Sequence, residues 1–198
     1  MVFVVASGIP ISRAQAQPAP GTPASQAYVP MTGSERWKLY LNDNFVDPIA
    51  YLRAFASGGF QQIGDAPPEW RQGTKAYFER TGSSFGQFLI DDTVRAGLSA
   101  AAGLDTRYHL CGCSGIKPRV LYAIKWTFIT RNHEGKTRFD WPRFAGDYAG
   151  AFASNAWYPD RYGYKDALRS GHQQAAFEIG GNILKEFKPE IRKLLRRK

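Results

Sequence analysis

The sequence predicts a mainly α fold: a bundle of about five helices with closely packed Gly/Ala faces and one short β-hairpin near 127–139. Three observations carry this expectation. Apolar residues recur at three- and four-residue spacing through most of the chain, which is the helical period. No alternation of strand and helix patterns appears, which argues against a parallel sheet with crossover helices. Small residues sit four apart inside predicted helices: Gly82 and Gly86, Gly146 and Gly150, Gly171 and Ala175, Ala176 and Gly180. Glycine costs about 1 kcal/mol per helix position relative to alanine, so its repeated use points to helix backbones in close approach. The approach is either within the domain or between copies, in a self-associating or membrane-embedded bundle.

The elements follow in order. Thr32-Gly-Ser-Glu35 has capping-box spacing and opens the first helix. Trp37, Leu41, Phe45, Ile49, Leu52 and Phe55 form one stripe, with Asp47-Pro48 as a break and restart, and Gly58-Gly59 ending the helix. Asp65-Ala-Pro-Pro-Glu69 opens the next helix, whose packing face is Phe78, Phe85, Leu89, Ala96 and Ala100, with a break around 81–84. From Ile116 the pattern fits both strand and helix; we expect a helix to about Trp126, then an extended run. Asn132-His-Glu-Gly135 is the turn of a hairpin that returns over Thr137 to Phe139. Asp140 caps a helix that ends before Pro159. In the last helix His172, Ala175, Ala176, Ile179, Ile183 and Phe187 form the packing stripe. Glu178, Asn182, Lys185 and Glu186 take the solvated side, and Pro189 breaks or kinks the helix.

Composition bounds the rest. The 198 residues are 43% apolar and 14% aromatic, enough for one compact domain and too apolar for a disordered chain. No run of about 18 apolar residues occurs, which argues against an ordinary transmembrane helix. Two cysteines do not make a disulfide scaffold. The net charge is +9, but residues 185–198 alone hold seven basic and two acidic side chains, +5 in all, leaving an ordinary +4 for everything else. Arg192, Lys193, Arg196, Arg197 and Lys198 therefore form a basic tail suited to an anionic membrane surface or another acidic envelope partner. The same charges also serve as a solubilising helix end.

Residues 1–16 have the pattern of a signal peptide that lacks its basic region: an apolar run, then Ala14-Gln15-Ala16 as a small-residue cleavage site. Residues 17–31 are rich in Pro and Ala and form a linker, so one helical domain is expected over 32–198. An exported protein, periplasmic or associated with the outer envelope, has no nucleic-acid partner despite its basic pI of about 9.7.

Candidate sites are few. Gly82-Ser-Ser-Phe-Gly86 matches the nucleophile-elbow spacing but lacks the strand before it that this motif needs. His109, Cys111 and Cys113 are weak metal-ligand candidates without the second cysteine pair of a zinc site; a strained disulfide or two free thiols explain the cysteines as well. Asp91 and Asp92 precede Arg95 by four and three residues, spacing that fits ion pairing on a helix face as well as acid–base work. With Arg107, Tyr108, Asn155 and Trp157, polar and aromatic groups at helix ends, they make a candidate pocket for a lipid or glycan; capping and sealing of the core is the alternative. No catalytic residue and no cofactor is assigned.

Thr127-Phe-Ile-Thr-Arg131, Thr137-Arg-Phe139, Gly146 to Pro159, Phe177 to Ile191 and Asp105-Thr-Arg-Tyr108 together resemble a family of exported bacterial proteins of unknown function. The resemblance spans about 34–198 and carries no catalytic signature, so it implies export without assigning roles. Cys111 and Cys113 depart from that family's pattern, which argues against a shared metal site. The expected function is a structural, binding or assembly component of the cell envelope, peripheral to a membrane. The small-residue helix faces offer a route to oligomers. The alternative is a small envelope enzyme or lipid/glycan binder using a pocket around Asp91, Asp92, Arg95 and Arg107.

Overall fold

A computed structural model describes residues 28–196. The segment expected to be a signal peptide and most of the expected linker lie outside the described residues, as do Arg197 and Lys198. The described residues form a mainly α fold of six α-helices and one two-stranded antiparallel sheet. The helices are α1 (Gly33–Leu41), α2 (Pro48–Ile63), α3 (Thr74–Ala101), α4 (Ile116–Phe128), α5 (Trp141–Ser154) and α6 (Tyr164–Arg196). The strands are β1 (Ile129–Arg131) and β2 (Thr137–Phe139), paired Ile129 to Phe139 and Arg131 to Thr137.

Local chemistry explains most boundaries. Thr32 and Glu35 form the expected capping box. One π-helical turn (Asn42–Val46) separates α1 from α2, and the Asp47 side chain caps α2 with Pro48 in its first turn. The hairpin turn is held by Asn132, whose Oδ1 accepts from the backbone of Glu134 and Lys136 at 3.1 and 2.9 Å. Gly135 supplies the positive φ there, +76°.

Four expectations about boundaries are corrected. Helix α2 runs through Gly58 and Gly59 to Ile63, because Gly58 is a packing residue: a Cβ there would meet Thr81 of α3 at 2.3–3.0 Å. The segment after Asp65 makes only a 3₁₀ turn (Pro68–Trp70), and α3 starts at Thr74. The turn is fixed by the wholly buried Arg80, which donates to the carbonyls of Ala66, Pro67 and Arg71 at 2.8–3.0 Å. Helix α3 shows no break at 81–84. Helix α6 continues past Pro189 to Arg196.

Helix α3 packs between α2 and α5; α6 lies on the far side of α5, and α4 packs on α6. The α3–α5 contact is the tightest. A Cβ at Gly146 would lie 2.6 Å from the Asp91 carbonyl, and one at Gly150 2.6 Å from that of Gln87, so α5 rests directly on the α3 backbone. Gly171 of α6 similarly seats the Tyr148 ring of α5. Gly82 and Gly180 have open space, so small residues at the Gly82–Gly86 and Ala176–Gly180 spacings do not mark packed faces here.

The packing face of α2 is inverted, and that of α6 is widened to take in polar groups, with Ile179, Ile183 and Phe187 of the expected stripe half-buried. Among the described residues nine apolar side chains are buried, six of them alanines, against eighteen polar or charged ones. The stripe expected to form the core of the first two helices faces outward: Trp37, Phe45, Ile49, Leu52 and Phe55 are exposed. The buried side of α2 is Ala50, Ala54 and Gly58. In α6 the side expected to be solvated turns inward: Asn182 and Glu186 are buried and Glu178 is paired with α5, while Lys185 stays exposed.

Two glycines separate the packing arguments. Gly150→Ala forces α5 off α3 and should lower stability by roughly 1–3 kcal/mol. Gly82→Ala, in open space within α3, should raise it by up to about 1 kcal/mol. Urea unfolding midpoints of the two variants moving in the same direction would contradict this assignment of the contacts.

Candidate functional site

Four helices bring their charges to one place. Asp91, Asp92 and Arg95 of α3 lie in one cluster, but among the described residues no ion pair joins them as their spacing had suggested; the partners come from elsewhere: Arg53 of α2, Asp140, Arg143 and Asp147 of α5 and its cap, and Glu178 of α6. Arg53 pairs with Asp92 and lies 4.6 Å over the Phe88 ring. Arg143 pairs with Glu178 and, at 3.1 Å, with Asp140. Asp140 is 3.7 Å from Arg95. Asp140 stands at the N-cap of α5, but its side chain is taken by these guanidinium groups and caps no backbone amide.

The missed residues had a signal. Arg143, Gly146, Asp147, Gly150, Ala151 and Ser154 fall on one helical face, and all are buried. That face is polar or side-chain-free, so an apolar-periodicity search passes over it and finds the opposite stripe of Trp141, Phe144, Tyr148 and Phe152.

Asp91 and Asp147 are the unusual members. Both are buried, 4% and 1% exposed. Asp147 Oδ2 has no hydrogen-bond partner among the described residues, which favours its protonated form. Burial, reinforced by the charge of Glu178, pushes Asp147 up to about 7. Burial and the neighbouring Asp92 raise Asp91 well above the carboxylate range. Glu178 goes the other way. Burial alone would raise it, but Arg143 and Arg95 outweigh that and hold it at about 2. The cluster thus sets two raised carboxyls, Asp91 and Asp147, at the α3–α5 contact beside a depressed one, Glu178, held by the guanidinium groups.

The other predicted residues lie elsewhere. Arg107 belongs to a second cluster: it grips Asp105 at 2.7 Å, and Asp105 also accepts from the Tyr28 hydroxyl at 2.9 Å. Burial opposes ionisation of Asp105, yet the Arg107 and Tyr28 hydrogen bonds bring it below its ordinary value. This anchors residues 28–31, the end of the expected linker, against the domain, with Met31 buried. Tyr108 donates to Glu186 at 2.9 Å, and burial with that carboxylate pushes its hydroxyl up. His109 is 3.4 Å from Asp105, and Cys111 and Cys113 are joined in a disulfide. No group of three or more His, Cys, Asp or Glu suited to a metal occurs among the described residues. Trp157 rests 3.9 Å from the Gly86 position and donates to Ser83 at 2.8 Å. Ser83 and Ser84 sit in mid-helix, so the elbow geometry of a serine nucleophile is absent. Lys193 is exposed; Arg192 and Arg196 fall on the last turns of α6, their side chains outside the described residues.

Beside the charge cluster runs a groove of about 540 Å³, walled by α2 and α6 and floored by α3 and the end of α5. Asn155 lines it; Asp91, Asp92 and Arg95 do not.

The cluster predicts a pH profile. Asp147 is raised from an unfolded value of about 3.9, so its protonated form favours the fold, and stability falls as pH rises from about 4 through about 7. Glu178 is depressed from about 4.3, so its contribution is lost as pH falls through about 2. Urea unfolding across pH should therefore peak near pH 4–5. In Asp147→Asn the decline toward pH 8 should shrink; an unchanged alkaline arm would refute the raised Asp147 carboxyl.

Comparison with protein-family models, with curated proteins and with solved structures finds no match to this chain, so the functional reading rests on the geometry described above.

Proposed function

We propose that the chain is a structural or assembly component of the cell envelope that lies peripherally on an anionic membrane surface. The observation that carries this reading is the outward face of α2. Ile49, Leu52, Ala56, Phe60 and Ile63 form a charge-free stripe along its full 16 residues, about 24 Å at 1.5 Å per residue. Leu52 is 65% and Ile63 87% exposed. Trp37, Phe45 and Val46 extend this surface toward α1. The charges of these helices are turned inward or gathered at their ends. A helix with a wholly apolar outer face suits burial at the boundary of headgroups and acyl chains. No helix among the described residues is long and apolar enough to cross a membrane. The basic tail adds attraction worth about 1 kcal/mol per cation near an anionic surface. The signal-like segment at 1–16 supports the envelope as the compartment. The groove between α2 and α6 favours a second reading, a small-ligand binder in the same place.

Flotation with vesicles tests the first reading. The full chain should float with phosphatidylglycerol-rich vesicles, bind phosphatidylcholine vesicles more weakly, and lose anionic binding in high salt. Ile49→Lys with Leu52→Lys should weaken binding roughly tenfold or more, with the helical circular dichroism unchanged. Failure to float with either vesicle would overturn the reading.

A further inference from the structure

We propose that the groove between α2 and α6 is a binding site for a neutral oligosaccharide. Its floor is a chain of uncharged hydrogen-bonding groups already fixed in place. The Tyr158 hydroxyl donates to Gln61 Oε1 at 3.4 Å, and Gln61 Nε2 donates to Ser57 and Ser84 at 3.2 and 2.9 Å. Ser84 donates to Ser57 at 2.9 Å, and Gln87 Nε2 donates to Ser170 at 3.1 Å. Ser84, Gln87 and Ser154 are buried, so the floor is preorganised and water-poor. Rings stand around it: Phe60 and Phe177 on the two walls, Phe88, Tyr158 and Tyr162 below and at the end. On the lining, Asn155, Gln173 and Gln174 carry amides with no side-chain partner among the described residues.

These features select a ligand class. An apolar ligand would cover the amides of Asn155, Gln173 and Gln174 without replacing their hydrogen bonds to water, which costs more than it gains. An anion would need free cations, but Arg161 is bound to Glu69 at 2.5 Å and lies over Tyr162, and Asp166 shares the lining. That leaves Arg169 to balance Asp166, so the lining charge is near zero. A sugar hydroxyl both donates and accepts, as an amide does, and a pyranose presents a flat C–H face to an aromatic ring. The volume falls inside the range of about 300–1,000 Å³ used for small ligands. The ligand-pocket expectation from the sequence is thereby moved: Asn155 stays in it, and Asp91, Asp92, Arg95 and Arg107 leave it.

Titration calorimetry on the full chain tests this with chitotetraose and cellotetraose as neutral probes and a heparin tetrasaccharide as the anionic one. Binding of a neutral probe, weakened roughly tenfold by Asn155→Leu or Gln174→Leu and unchanged by Lys165→Ala, is the expected result. Both leucine variants should keep wild-type helicity and unfolding midpoint, because neither side-chain amide has a hydrogen-bond partner among the described residues. Binding of the anionic tetrasaccharide alone, or of no probe at millimolar concentration, would overturn the proposal. So would neutral-probe binding that both leucine variants leave intact. The same variants should float with anionic vesicles as the wild type does, which separates this outcome from that of the membrane reading.

Discussion

The near-contact of the α3 and α5 backbones fixes the rest of the structure. Gly146 and Gly150 remove the side chains that would hold the helices apart, and Asp91 fills the gap. Once the backbones are this close, the side chains between them must be small or held by specific bonds. Asp147 is left buried at this contact with one carboxyl oxygen unpartnered among the described residues, and burial raises its pKa. Arg143 and Arg95 point past the contact and collect Asp140 and Glu178. Helix α6 is then positioned by an ion pair, and α4 by further polar contacts, Asn182 to Thr127 at 2.9 Å and Arg119 to Glu190 at 2.6 Å. The assembly is held by polar contacts of defined geometry more than by the volume of its apolar side chains.

Helix positions were largely legible in the sequence; which side of each helix faces inward was not. Period alone places an apolar stripe on one face and polar groups on the other, and the usual assumption sends the apolar stripe inside. That assumption fails in α2 and α6. Ala50, Ala54 and Gly58 are too small to register as a stripe beside Ile49, Leu52 and Phe55. In α6, Glu178, Asn182 and Glu186 look solvated until their partners on α5 and α4 are known. The break expected at Gly58-Gly59 has the same origin: glycine read as a stop signal is here a site of close contact.

The candidate site divides similarly. Asp91, Asp92 and Arg95 lie within five residues, so local spacing exposed them. Arg53, Arg143, Asp147 and Glu178 come from other helices, and only packing brings them together. Arg107 and Tyr108 are separated from this group because Gly103, at φ +65°, turns the chain out of α3 toward the hairpin. There Asp105 and Glu186 take them up. Asn155 and Trp157 sit close in sequence yet serve different surfaces, one on the groove and one over Gly86.

A fold whose interior is alanine, glycine and paired charge has a thermal signature of its own. The heat-capacity change of unfolding grows with apolar surface newly exposed and shrinks with polar surface newly exposed. Here many of the large apolar side chains are exposed before unfolding begins, and unfolding uncovers a large share of amides, hydroxyls and ions. The increment per residue should therefore lie below the usual value of about 12–15 cal/mol/K, giving a broad, shallow dependence of stability on temperature. Such a domain gains little from the hydrophobic effect when warmed and loses little of it when cooled.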